Sequence, residues 1–445
     1  MFHANLQLNP NLAAALNLLE IKENHLRDEK GEEVNVVSPI EHAKALFSYF
    51  HMAGYLNEDL LKKAVQYLSA SKAFACDDDT VFSDLKEACD KATSNGRFDV
   101  DVFMVNFAQQ KYFTPADAVD LIVFLQQTAF DRQHGQERDR LQGRPWMEEH
   151  SLEFQDIATK LGVVTPLPPL KREYSEGCIM GAASKRVRER LIYFQNLEIN
   201  CNLIWALSGA RELSKGLDEE VMMEAVAAYL GKPLKYVKKR VGDSGEYREF
   251  LEGITETMMV NYFIQTLCPA KKIGILDSGV EAGHWRATAA QSAADIASMR
   301  VKDFIRALQS GEVAAGYQHD VLIIAEQPYT RRMTMQIQRE FNKAIKDAGL
   351  EEKVRVIVEG SGQGISEQDL LSTPVLARLN SELAALMAER FNRARSVLQQ
   401  QAHLELRDPS ILMFNKRDAV FQARKAAEVA NDKASQLELR SALQI

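Results

Sequence analysis

The sequence predicts an α/β fold: a mainly parallel five-stranded sheet with helices on both faces, joined to an all-α N-terminal domain and to C-terminal helices. Three observations carry this. Short apolar runs recur between residues 175 and 365 and alternate with amphipathic stretches of helical period, the pattern of βαβ units. Those runs end in small or polar residues such as Gly181-Ala182-Ala183 and Ser208-Gly209. Outside that span, helical 3–4 spacing dominates.

The expected organisation is a helical domain over residues 1–130, a charged and Pro-rich connector over 131–174, the α/β domain over 175–365, and helices over 366–445. In the first, Asn11 to Leu19 reads as helix, and Ser38-Pro39 starts another, Ser suiting an N-cap and Pro the first helical position. Ala43, Leu46, Phe47, Phe50 and Met52 then mark one buried face. Asn57-Glu58-Asp59 opens the next helix, and Thr114-Pro115 a further one running to Thr128. The run Asp77-Asp78-Asp79 lacks the spacing and terminal glutamate of an EF-hand loop and reads as a solvated helix start. In the connector, Trp146 reads as exposed and VVTPLPPLKREY as an extended surface segment.

The five expected strands begin with CIMGAA (Cys178 to Ala183), followed by a helix that Ser184 caps, with Arg186, Arg188 and Arg190 on its first turns. CNLIWALSGAREL (from Cys201) is the second and KKIGILDSG (to Gly279) the third. Val321 to Ile324 is the fourth, leading through Pro328 to a helix opened by Arg331 and Arg332, and KVRVIVEGSG (from Lys353) is the fifth. Asp218 to Leu230, Gly245 to Leu267 and Thr288 to Leu308 read as helices, as do Pro374 to Gln401 and much of the chain from Pro409.

Composition narrows the function. A formal net charge of -8 argues against general nucleic-acid binding by the whole chain, while leaving room for a local basic groove. Five scattered cysteines without a C-x-x-C pair suit reduced thiols in a cytosol-like compartment. Neither a signal-peptide pattern at the N-terminus nor a run of 18 apolar residues occurs. The expectation is therefore a cytoplasmic protein without a membrane span.

In a parallel sheet all the strand-end turns converge on the carboxyl edge, where ligands of open α/β sheets bind. Gly181, Ser208, Gly209 and Gln327 fall there, and small residues let a ligand approach backbone. Arg186, Arg211, Arg331 and Arg332 follow the turns closely, and their planar forks suit phosphate or carboxylate. An anionic small molecule is the natural ligand. His284, with Asp277 and Glu281 nearby, reads as a general base, a metal ligand or neither. The chain has no G-x-G-x-x-G, P-loop or G-x-S-x-G motif, so no standard dinucleotide, triphosphate or hydrolase site is supported.

Residues 175–365 resemble the YdcF-like proteins, a bacterial group with a Rossmann-like fold long classed as a domain of unknown function. The likeness is clearest at IIAEQPYTRRMTM, where Arg332 takes the place of the family's helix-opening arginine. ILDSG is similar to the family's acidic block, with Asp277 as the acid, and GITETMMV to the block carrying a glutamate, here Glu256. Where the family usually has an acid followed by Asn, this chain reads Gly283-His284-Trp285-Arg286. The resemblance implies a nucleotide-type ligand, S-adenosylmethionine among them, with Arg332, Asp277 and Glu256 at the family's positions. Joined to the reading of the sheet edge, it makes Arg332, Arg211 and Arg186 the groups that hold the ligand and Asp277, Glu256 and His284 the candidate catalytic groups. The altered stretch keeps a second reading open: a non-catalytic interaction protein that engages a protein partner through its N-terminal or C-terminal helices.

Overall fold

A computed structural model describes residues 39–69, 78–94, 97–108, 145–241, 246–269, 272–279, 288–370, 372–383 and 385–386 of the 445-residue chain. The described residues fall into two compact units, one of residues 39–108 and one of residues 145–386. No helix among them is long and apolar enough to cross a membrane. The helices expected at Asn11 to Leu19, Thr114 to Thr128 and beyond Pro409 lie outside the described residues, as do Cys76, Asp77 and His284.

In the first unit, helices α1 (Pro39–Met52), α2 (Glu58–Ser69) and α3 (Asp78–Ala92) precede the short antiparallel pair β1 (Thr93–Ser94) and β2 (Arg97–Phe98), then α4 (Val100–Ala108). Asn57 Oδ1 accepts from Leu60 N at 3.0 Å and so caps α2, and Asp99 caps α4 in the same way. The expected face of α1 is buried at Leu46, Phe47 and Phe50, with the Phe47 and Phe103 rings 4.8 Å apart.

The second unit opens with α5 (Pro145–Glu149) and α6 (Ser151–Lys160). Trp146, expected to be exposed, is half-buried with its ring edge-on to Phe154. The strands of the main sheet are β3 (Glu173–Met180), β4 (Asn200–Gly209), β8 (Ile273–Ser278), β9 (Tyr317–Glu326) and β10 (Val354–Gln363). Their order is β10-β9-β3-β4-β8 and every pairing is parallel. Helices α7 (Ser184–Asn196), α9 (Glu256–Leu267), α10 (Ala289–Ser310) and α11 (Thr330–Asp347) connect or flank them. Alternate residues of one strand serve opposite faces. Ile179, Leu322 and Ile324 pack with Val187, Leu191 and Phe263, while Cys178, Ile323 and Val321 pack with Ile296, Ile337 and Phe341. Burial on both faces explains why these strands read as continuous apolar runs rather than alternating ones.

A second sheet was not expected. β5 (Glu212–Ser214), β6 (Tyr236–Val241) and β7 (Glu246–Thr255) pair antiparallel in the order β5-β7-β6, with α8 (Glu220–Tyr229) between the first two. The helix expected from Gly245 to Leu267 is therefore a strand up to Thr255 and a helix only from Glu256. Tyr247, Phe250, Leu251 and Ile254 are spaced like one helical face, which misleads a periodicity reading. Gly253, at φ +67°, and a register shift between Glu212 and Ser214 break the strict alternation of the strand.

The Pro-rich connector does run extended. It crosses the end of β10, where Leu167 bridges Gly362 antiparallel and Gln327 Nε2 donates to Thr165 O at 2.9 Å. After α12 (Glu367–Leu370), residues 373–383 are helical and largely buried.

Candidate functional site

Chain order across the sheet runs fifth, fourth, first, second, third strand. The first strand (β3) and the fourth (β9) are thus neighbours whose connections leave in opposite directions. This is a topological switch point, where α/β sheets of Rossmann-like kind open a crevice for small molecules. Two charged clusters meet there, one on each side of Gly181.

On the β4 side, Arg211 is almost wholly buried. Its Nε donates to Glu256 Oε2 at 2.7 Å and its Nη1 to Asp218 Oδ2 at 2.8 Å. Burial opposes the Arg211 charge, but Glu256 and Asp218 outweigh it and its pKa is raised. Asp218 also accepts from Ser184 N at 3.1 Å and from Ser214 N at 2.9 Å. The first of these contacts has a functional consequence. The N-terminus of the helix after the first strand is the usual anion seat of such folds, and here the chain's own Asp218 carboxylate occupies it. Ser184, expected to cap α7, is instead its first residue and accepts from Glu219 N.

Glu256 stands at the start of α9, where Thr255 is the N-cap and Glu256 N donates to Arg211 O at 2.8 Å. Its second oxygen, Oε1, has no hydrogen-bond partner among the described residues and lies against Gly181. A Cβ added at Gly181 would overlap Glu256 Oε1 and sit 2.5 Å from Ser208 Cβ. Ser208 Oγ donates to Thr257 Oγ1 at 2.8 Å, and that hydroxyl lies 2.8 Å from Asp277 Oδ1 and 3.3 Å from Gly209 O. A chain of hydroxyls therefore runs from the buried end of β4 to Asp277, exposed at the end of β8.

On the β9 side, Glu326 ends the strand and divides its carboxylate between two arginines of α7. Arg186 Nη1 reaches Oε1 at 3.0 Å and Arg190 Nε reaches Oε2 at 2.7 Å. Arg190 is buried and also donates to Met180 O and to Gly181 O. Arg186 is about a third exposed, donates to Tyr329 Oη at 3.2 Å and lies 5.5 Å from the centre of its ring. Burial works against the Arg186 charge too, but Tyr329 and Glu326 more than compensate and its pKa is raised. Spacing of four residues on α7 puts both arginines on one face.

The remaining expected ligand residues are committed elsewhere. Arg332 is buried, its Nε bonded to Glu382 and its Nη1 to Gln336 at 2.9 Å. Arg331 Nε donates to Gly162 O at 2.6 Å. Gln327, which precedes a cis bond to Pro328, donates to Gly162 O and Thr165 O. These three hold the connector and residues 373–383 against the start of α11. The glycines at the end of β10 serve packing as well: added carbons would strike Thr334 from Gly360 and Thr330 from Gly362.

The structure thus gathers Ser208, Gly209, Arg211, Glu256 and Asp277 on one side of Gly181 and Arg186 on the other. Sequence reading did not assign roles to Asp218, Thr257, Glu326 or Tyr329; an acid ending a buried strand, as Glu326 does, was the available signal. No group of three metal-ligating side chains occurs among the described residues. No protein-family model, curated protein or solved structure matches the chain.

Proposed function

We propose that this chain binds an anionic, nucleotide-type small molecule at the carboxyl edge of its parallel sheet. Arg186 meets the negative charge, while Glu256 Oε1 and Asp277 accept from ligand hydroxyls. The observation that carries this is the bare end of β3. Gly181 has a guanidinium, Arg190, on its carbonyl at 3.1 Å and a carboxylate oxygen where its Cβ would be. A side chain there would close the space between cation and acid. Glu256 Oε1 is also the group placed to take a proton from a bound hydroxyl, which is the form a catalytic role takes in this reading. The resemblance to YdcF-like proteins supports the same ligand class, with S-adenosylmethionine and phosphate-bearing nucleotides as the two kinds to compare.

Thermal denaturation of the full chain with nucleotides, S-adenosylmethionine and sugar phosphates tests it. A ligand that binds only the native state stabilises by about 2.7 kcal/mol at a hundred times its Kd. At least one ligand of the class should raise Tm, and Arg186→Ala should reduce that rise. No shift with any of them, or a full shift in the variant, would sink the proposal. Arg332→Ala is a poor probe, because it strands buried Glu382 and destabilises the fold with or without ligand.

A further inference from the structure

Two side chains meet at the bare end of β3, and both are left there as hydrogen-bond acceptors. Glu256 gives Oε2 to Arg211 at 2.7 Å, while Oε1 has no partner among the described residues although the side chain is only 9% exposed. A carboxylate oxygen buried to that degree costs stability until something donates to it.

Ser208 is committed by the chain of hydroxyls behind it. The single Thr257 hydroxyl proton points to Asp277 Oδ1 at 2.8 Å or to Gly209 O at 3.3 Å, and both are acceptors. Thr257 Oγ1 then has only lone pairs to offer Ser208, 2.8 Å away, so Ser208 must donate its one proton to Thr257. Lone pairs alone remain on Ser208 Oγ. Glu256 Oε1 and Ser208 stand side by side: a Cβ added at Gly181 would overlap the first and lie 2.5 Å from the Cβ of the second.

Resting on the ligand reading above, we propose that Glu256 Oε1 and Ser208 Oγ together receive a vicinal diol, so that the ligand is a ribose compound held through free 2′- and 3′-hydroxyls. A vicinal diol brings two O–H donors side by side, the complement of two neighbouring acceptors. A phosphate or carboxylate would set lone pairs against lone pairs there and is turned away from this end. The cation lies close by. Arg190 donates to Gly181 O at 3.1 Å, and Arg186 stands four residues away on α7, about one turn of 5.4 Å. The sugar therefore sits at Gly181 and the charged end at Arg186. Nucleotides, sugar phosphates of ribose and S-adenosylmethionine share that diol.

Isothermal titration of the full chain with the four common nucleoside 5′-monophosphates, ribose 5-phosphate and S-adenosylmethionine shows which source supplies it. The 2′-deoxy and 3′-deoxy forms of whichever compound binds then test the diol. Each deletion should weaken binding at least about tenfold, because it strands a buried acceptor. Ser208→Ala should erase the cost of deleting one hydroxyl and keep the cost of deleting the other. Glu256→Gln should erase that other cost: Arg211 Nε can only donate, so the amide oxygen stays with it and the amide NH2 takes the place of Oε1. Deoxy forms that bind as tightly as the ribose parent overturn the diol and leave the nucleotide reading standing. A cost at one hydroxyl only, or costs that survive Ser208→Ala unchanged, overturn it in the same way. Binding of none of the compounds overturns both. Ser208→Ala removes a single oxygen and carries the test even if Glu256→Gln, which alters a buried ion pair, fails to fold.

Discussion

The two arginine clusters flanking Gly181 are made of the same residue types and behave as opposites. Around Arg211 every guanidinium nitrogen has a partner inside the protein: two carboxylates, Glu256 and Asp218, hold one guanidinium at 2.7 and 2.8 Å with almost no exposure. Around Arg186 one carboxylate, Glu326, serves two guanidiniums. A buried arginine that is fully answered joins segments of the fold, here the second sheet to the edge of the first. A half-buried arginine that is under-answered keeps capacity for a ligand. Their position on the sheet edge does not distinguish them; the count of local acids does.

That contrast has its largest consequence for stability at Arg211. Replacing it by Met leaves Glu256 and Asp218 buried without a counter-charge, and breaking a buried pair this way costs about 3–5 kcal/mol. Chemical denaturation should show that loss, together with weakened attachment of β5 and α8, which follow Arg211 directly. A cost below about 1 kcal/mol, the range of exposed pairs, would erase the distinction between the clusters.

Much of this arrangement is legible in the sequence. The central strands β3, β4 and β9 read as apolar runs because they are buried on both faces, and the carboxyl-edge location of Gly181, Ser208 and Asp277 follows from strand direction alone; Glu256 is indicated only by the family resemblance, within a helix expected from Gly245. Pairing partners were not legible. Nothing local tells that Arg332 meets Glu382, fifty residues on. Arg332 looked like the strongest ligand candidate because it opens a helix at the right edge, but sequence shows which end of an element a charge occupies and not what folds over it. The β6–β7 hairpin was lost for a different reason: its apolar residues imitate a 3–4 repeat. The run Gly242-Asp243-Ser244-Gly245 is a turn signal that argues against continuous helix.

The shared element of the comparison, Gly181, offers an intermediate effect. Gly181→Ala places a methyl group against Glu256 Oε1 and 2.5 Å from Ser208 Cβ. Strand backbone cannot easily yield there, because Gly181 N donates to Leu207 O at 2.8 Å and Arg190 holds the carbonyl. Overpacking of this kind costs about 1–3 kcal/mol. The more telling readout is ligand binding: the variant should remain folded at room temperature and lose the ligand-induced rise in Tm. A folded Gly181→Ala protein with a full ligand response would place the ligand elsewhere on the edge.

The smallest stability effect belongs to Arg186, and it tests the contrast most directly. Arg186→Gln removes one of two partners from Glu326 while Arg190, which is buried, keeps the other oxygen at 2.7 Å. The net change in unfolding free energy should fall within about 0.2–1 kcal/mol, as for partly exposed pairs, against several kcal/mol at Arg211. Binding should respond in the reverse order of stability, with the ligand-induced shift strongly reduced although the empty protein hardly changes. If Arg186→Gln instead unfolds the chain as Arg211→Met does, then Arg186 is a structural tie between α7 and β9 and the contrast between the two clusters fails.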